Sequence, residues 1–593
     1  MTHRPLPLQN FMKAITTFVS GLLLSAIFLL PTAMRAAELQ PFFTYKVSSV
    51  NSLIAVAEKA STMAGFADAN EFKEVIKTIK EVQGFNLDGI IGFAAAVNDD
   101  GDLCPILLLP ITDLWKMDVP SQPGILDSII PFLTKRGAER TDINFPMGTY
   151  AALQKQGYLV IVPENVVEQI PADARKLFAD LEKYTLGMKL DLEKVKFETL
   201  ESQLFGPMIF MAMMTNPDVG EQIETIVDVS RELYKEFAVF SFGFVFNPQT
   251  ADVELSGTMV PRKGSDFAKS LAGYKQQPTI FGGFRGTPGN VILSFGDSAT
   301  QPPLPEEKQK MFMEPSRKPW ETVFEGLLEQ VEMDDETDET IELIKKVIDL
   351  VQKIIVTEAK RGTSDSALSF NTDGTLLLAC DTSSLTDIQK LTSLIVDFAA
   401  QRVGPIADTF GIDVKASVKQ DYVTVESFKV SSFKFPMDKV VPLLPGPTEG
   451  LNDFSPGVFW AIKDVGGKQA IAVAAGLDFA KTESAFKSAL EKTKTPAPVQ
   501  KPTGTFSVQG LGKFLQQTVY PTAAKDGAPE EFKKVADILA TAGNDATITL
   551  NADVKPDRIE GGYRISGKAI QAVITAVKAV MPDALNRPAM QDF

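Results

Sequence analysis

From Asn70 the apolar residues Phe72, Val75, Ile76, Ile79 and Val82 recur at the spacing of one helical face. The pattern then changes to two apolar runs, 90–97 and 103–109, separated by Asn98, Asp99, Asp100, Gly101 and Asp102. That arrangement predicts a β-hairpin closed by an Asp-Gly turn. Thr112 and Asp113 supply caps for a helix after it. The same order of helical stripe, hairpin and helix returns from Glu221 (strands near 240–246 and 253–260), from Thr340 (368–370 and 376–380) and from Glu530 (546–554 and 558–566). Glu71-Phe72-Lys73-Glu74-Val75 and Glu531-Phe532-Lys533-Lys534-Val535 are nearly the same words.

Two further hairpins fall between these copies, at 150–153 with 158–162 and at 458–462 with 470–474, each followed by a helical stretch. Together they predict an α+β protein of two similar halves. Each half is an antiparallel sheet built from recurring helix-hairpin-helix units, with helices packed on it. The halves are expected at 38–300 and 320–593, the second with extra strands near 405–450. The stretch 301–319, with Pro302, Pro303, Pro305, Pro315 and Pro319, is expected to be an extended linker.

At the amino terminus, Arg4 and Lys13 precede an apolar run from Phe18 to Leu30, then Pro31 and the small residues Ala33, Ala36 and Ala37. This is the layout of a secretory signal over 1–37, so the expected location is periplasmic or extracellular. Met34 and Arg35 stand three positions back from cuts after Ala36 and Ala37, which keeps an uncleaved amino-terminal anchor as the alternative. No second apolar stretch reaches the roughly 18 residues of a membrane span.

Charge and composition exclude more than they assign. The formal net charge is −16 and no basic block appears, which argues against nucleic acid as a partner. The only histidine, His3, falls inside the export segment. The remainder therefore lacks the imidazole required by Ser/His/Asp and Cys/His nucleophiles, by HExxH zinc helices and by His-ligated haem, copper or iron. Two distant cysteines make no thiolate zinc site, which leaves carboxylate-bound cations. The Asn98–Asp102 segment is out of register for an EF-hand, and the acids from Glu332 to Glu342 open a helix, where its dipole favours them.

Other motifs fail on spacing. Gly510, Leu511, Gly512 and Lys513 have Ser507 where a Walker loop needs glycine, and Ser431 with Lys434 falls on a predicted strand, where residues three apart face opposite sides. No catalytic residue, metal ligand or cofactor is assigned. The candidate apolar-ligand surface is the methionine-rich run holding Phe205, Met208, Phe210, Met211 and Met214. Cys104 and Cys380 are a candidate disulfide in an oxidising compartment.

With its export signal, recurring units and the approach Pro261 to Asp266 into the helix after a second strand, the chain resembles large exported bacterial proteins in families of unknown function. The resemblance is one of pattern, covers most of the mature chain and implies no activity. The expected function is an exported, non-catalytic binding or scaffold protein of the cell envelope, its partner an envelope protein or an apolar small molecule. A carrier of lipid or another apolar ligand is the first alternative. A carboxylate-dependent hydrolase, with two acids about 5 to 9.5 Å apart across a cleft, is the second.

Overall fold

The structure, a computed structural model, describes residues 39–64, 84–98, 101–112, 140–145, 148–205, 229–309 except 288, 360–394, 418–435, 454–465, 468–498, 503–525 and 529–580, with single positions between them. The segment 1–37 expected to direct export, most of the helical stripes from Asn70 and Thr340, the acids 332–339 and much of 405–450 lie outside the described residues. Helices and strands are mixed, several strands following one another directly, and the paired strands run antiparallel. By its contacts the chain divides into two compact units, 1–265 with 558–567 and 581–593, and 266–557 with 568–580.

The first unit contains β1 (Pro41–Val47), β2 (Ile91–Val97), β3 (Leu103–Pro110), β4 (Arg140–Phe145), β5 (Gly148–Lys155), β6 (Tyr158–Pro163), β7 (Leu186–Asp191), β8 (Phe237–Phe246), β9 (Val253–Pro261) and β20 (Arg558–Ile565). Their order across the sheet is β4-β5-β6-β3-β2-β1-β7-β8-β9-β20. The expected turn between β2 and β3 is present. Asn98 N donates to Asp102 O, Asp102 N donates to Asn98 Oδ1, and Gly101 adopts φ +87°, a conformation that an L side chain rarely takes.

One face of this sheet is covered. Ala94, Ala96, Cys104, Ile106, Leu108, Val160 and Val162 pack against Val166, Ile170, Ala174 and Phe178 from the 3-10 turns that follow β6. The Phe178 ring lies over Gly92, where a Cβ would collide with it. The stretch after Pro171, expected as a helix, is a 3-10 helix over Ala174–Leu181, opened by Asp173, whose side chain accepts from Arg175 N. Its far end is closed by buried Lys46 of β1, whose Nζ donates to Leu181 O at 3.1 Å and Glu182 O at 3.3 Å. Leu181 O also accepts from Tyr184 N at 3.0 Å, so the Lys46 ammonium adds a second donor there and reaches on to Glu182 O, where the helix leaves its last carbonyls open.

The second unit contains β10 (Lys275–Gln276), β11 (Val291–Thr300), β12 (Thr363–Asn371), β13 (Leu376–Thr382), β14 (Val418–Val425), β15 (Phe428–Lys434), β16 (Gly457–Val465), β17 (Lys468–Gly476), β18 (Thr503–Ser507) and β19 (Thr547–Lys555). Their order is β14-β15-β16-β17-β13-β12-β11-β18-β19, with β10 on the end of β11 beside β18. The turn from β12 to β13 repeats the bonding of the first unit: Asn371 N donates to Thr375 O, Gly374 N donates to Asn371 O, and Gly374 has φ +81°. The Pro-rich stretch from Pro302 lies within this unit, where Ser270 Oγ donates to Pro302 O and the Pro302 ring sits against Gly273.

Here too one face is filled. Ala470, Ala472 and Ala474 of β17 leave room for helix α1 (Phe479–Glu491), which places Phe486, Ala489 and Leu490 over them. Phe281 and Phe284 join this core, Phe284 meeting Phe486 edge-on at 6.1 Å between ring centres. Asp478 caps α1 by accepting from Lys481 N at 3.0 Å.

Candidate functional site: open apolar sheet faces

Because cross-strand partners project to the same side, the strand registers state which residues share the other face of each sheet. In the first unit one row runs Ile161, Leu107, Phe93 and Tyr45, and continues as Met188, Phe242, Gly257 and Gly561. The row on one side includes Val47, Leu186, Phe244, Leu255 and Tyr563, and that on the other Phe43, Leu190, Phe240, Met259 and Ile559. None of these side chains is charged. On β9 and β20 the reverse face is polar, with Glu254 opposite Arg564 and Thr258 opposite Glu560.

Part of this apolar face is covered and part is open. Phe43, Ala95, Leu190 and Phe240 pack with Leu192, Val195, Leu200 and Tyr234. Phe242, Phe244, Met259 and Tyr563 instead remain 45%, 43%, 37% and 53% exposed. Gly257 faces Gly561, so the row between Met259–Ile559 and Leu255–Tyr563 lacks side chains there and forms a shallow trough walled by Phe242. Adjacent rows on one face are spaced about 6.6 Å apart, so the two flanking rows stand about 13 Å from each other.

The second unit repeats the pattern. Its open face carries Phe295, Leu368, Leu378, Val473 and Trp460 in one row, and Leu293, Phe370, Leu376, Ala475 and Val458 in the next. Leu293, Phe295, Leu378 and Val458 are each between 36% and 39% exposed. A third row is different, because Asp297 stands opposite Ser366 and Ser366 opposite Cys380. Burial pushes the Asp297 carboxyl above its ordinary range, against the opposing pull of the Ser298 amide and the Arg285 charge. Its Oδ1 is buried without a hydrogen-bond partner.

The remaining acids of β11–β13 face the covered side. Asp365 accepts from Thr279 Oγ1 at 2.6 Å and Ile280 N at 3.0 Å, and burial raises its carboxyl against these donors. Asp381 accepts from Asp365 N and Arg361 Nη2. Glu358 accepts from Thr382 Oγ1 and the amides of Ser383 and Ser384, at the start of the helical stretch that follows. These carboxylates hold segments to the sheet. Among the described residues no group of three or more His, Cys, Asp or Glu could hold a metal ion.

A pocket of about 200 Å³ opens beside the start of β1, lined by Phe42, Lys176, Asp180, Lys189 and Lys194 among others. Lys189 pairs with Asp180 and Asp191, and Lys194 with Asp191. Its charges are largely satisfied internally, and it is smaller than the roughly 300 Å³ at which small-molecule sites begin.

Of the residues singled out in the sequence, Met208, Phe210, Met211 and Met214 lie outside the described residues, and Phe205 ends the single turn Glu201–Phe205. Cys104 and Cys380, weighed as a disulfide, are both free thiols, the first buried on the covered face of its sheet and the second half-buried on the open face of its own. Ser431 and Lys434 sit on β15 and project to opposite sides; Ser431 is beside Trp460, while Lys434 reaches over the Phe479 ring. Gly510 and Gly512 belong to helix α2 (Val508–Phe514), where they allow contact with the backbones of Val291 and Ala540, and Lys513 Nζ donates to Gly289 O. Local sequence patterns do not reveal the open faces. Their signal was the alternation Phe240, Phe242, Phe244, Phe246, which marks a strand but not which side stays uncovered.

Compared with protein-family models, with curated proteins and with solved structures, the chain matches none.

Proposed function

We propose that this is an exported, non-catalytic binding protein of the cell envelope that carries apolar molecules, acyl chains or compounds of similar shape, on the open faces of its two sheets. The observation that carries the reading is the charge-free, register-aligned face on which Phe242, Phe244, Met259 and Tyr563 stay exposed. Exposed apolar surface of this extent is disfavoured in water unless something is to bind it. The export signal and the lack of imidazole beyond His3 support location and a non-catalytic role.

The proposal includes two similar halves. What supports duplication is the common strand order. β1-β2-β3 and β11-β12-β13 are each meanders, β4–β6 and β14–β17 each attach to the third strand through their last member, and β7-β8 and β18-β19 each return to the first. The paired turns at Asn98 and Asn371 agree with it.

A scaffold for an envelope protein is the second reading, favoured by the exposed stripe Val573, Val577 and Val580 on helix α3 (Gly567–Val580). The hydrolase reading gains nothing from Asp297 and Asp365, which project to opposite faces of one sheet.

Fluorescence titration of the full-length protein with the neutral apolar probe N-phenyl-1-naphthylamine tests the carrier reading. Saturable enhancement, weakened in Phe242→Glu and in Leu378→Glu, is expected. Enhancement absent from the wild type, or unchanged in both variants, contradicts it.

A further inference from the structure

We propose that Asp297, Ser366 and Cys380 form the polar end of the second unit's apolar face and receive the head group of a cationic amphiphile, an alkyl ammonium whose chain lies over Phe295, Leu368 and Leu378. The inference rests on the carrier reading and adds to it the chemistry of the ligand's head.

Register supplies the geometry. Asp297, Ser366 and Cys380 occupy one row across β11, β12 and β13, and Phe295, Leu368 and Leu378 occupy the next, about 6.6 Å further along the strands. A chain lying on the second row therefore reaches the first with its end. Charge supplies the choice of head. A mid-strand carboxylate on an apolar face is unfavourable unless paired, and Asp297 Oδ1 is buried with no donor. The Arg285 guanidinium lies against Gly296 on the covered side; its charge favours the ionised Asp297 carboxyl, but it gives Oδ1 no hydrogen bond. An ammonium would bring the missing donor and a cation on the open side as well, whereas a fatty carboxylate would be repelled. Asp297 closes no turn and caps no helix, because it lies inside β11 opposite Ser366.

Trp460 lies in the same row as Leu378, separated by Val473, and provides a reporter. The experiment titrates the full-length protein at pH 7 with dodecylamine, dodecanol and dodecanoate, reading tryptophan fluorescence, for the wild type, Asp297→Asn and Leu378→Glu. The amine is expected to bind at least about tenfold more tightly than the acid, a difference of about 1.4 kcal/mol. Asp297→Asn should reduce that preference to about twofold, and Leu378→Glu should weaken binding of dodecanol. A net charge of −16 draws any cation, but the Asn variant removes only one charge, so general attraction would leave the preference intact. An intact preference in Asp297→Asn, or equal binding of amine and acid to the wild type, overturns the head-group assignment while dodecanol binding upholds the carrier reading. No binding of any of the three overturns both.

Discussion

Tyr563 of β20 stands directly opposite Leu255 of β9, on the face where Phe244 is the next residue across, and it is the most exposed large apolar side chain of the sheet. A residue so placed contributes little to folding, because much of its surface stays in water in the folded chain as in the unfolded one. Tyr563→Ser and Phe242→Ser are therefore expected to change stability by less than about 1 kcal/mol. Both should nevertheless weaken apolar-probe binding. Urea unfolding measured alongside the titration separates the two effects, and a large loss of stability would place these side chains in the core.

Phe178 makes the contrasting case. It is 1% exposed, and its ring occupies the space over Gly92. Phe178→Ala should cost about 3–5 kcal/mol, the range for a buried phenyl ring replaced by a cavity. A lowered urea midpoint is the readout, and a cost below about 1 kcal/mol would mean that the covered face of the first unit is not its core.

Lys46 is the polar counterpart of that packing. Lys46→Met keeps the stem but takes the ammonium away from the carbonyls of Leu181, which keeps the Tyr184 amide, and Glu182. Losing hydrogen bonds from a charged group costs about 1.5–3 kcal/mol. Since Lys46 and Phe178 hold the same turn, the double variant should lose less than the sum of the single losses, which a double-mutant cycle measures.

Much of the local structure was legible in the sequence. Asn-Asp-Asp-Gly-Asp at 98–102 and Asn-Thr-Asp-Gly-Thr at 371–375 have a glycine where the backbone needs positive φ and an asparagine whose amide bonds back across the turn, and both became hairpins. Sheet order was not legible, because β7 returns to β1 from 139 positions away (Leu186 to Val47) and β20 reaches β9 across about 300 residues, distances over which periodicity carries no pairing information. For the same reason the trough at Gly257 and Gly561 could not be seen: neither glycine signals anything alone. The methionine-rich run drew notice through local density, whereas the open faces are assembled from thinly spaced residues on many strands.

Two carboxylates predict opposite pH behaviour. Burial raises Glu358, but bonds from Thr382, Ser384 and Ser383 and the charge of Arg361 outweigh it and hold the carboxyl below its ordinary value of 4.5. Its contribution is thus complete above pH 4.5 and lost as the pH falls through the lower folded value. Asp297, raised above 3.8, binds its proton more tightly when folded, so its ionised form is a net cost at neutral pH that disappears as the carboxyl protonates. Glu358→Gln should therefore lower Tm at pH 7, and Asp297→Asn should raise it, with both differences shrinking in acid. Thermal melts from pH 3 to 8 provide the test, and a lower Tm for Asp297→Asn at pH 7 would contradict the sign.

The thiols offer a chemical check. Burial pushes Cys104 up to about 12 and Cys380 up to about 11, which leaves little thiolate at pH 8. Iodoacetamide should label neither within minutes in the folded protein and both after denaturation without reductant. Labelling that requires reductant even in denaturant would show that they are bonded.

The most direct measurement is native mass spectrometry of the full-length protein isolated from cells without detergent, beside Phe242→Glu and Leu378→Glu prepared in the same way. Mass increments from bound apolar molecules are expected on the wild type, diminished in each variant and recovered in an organic extract. Bare protein of unaltered mass, in a preparation whose probe binding is the same in all three forms, would contradict it.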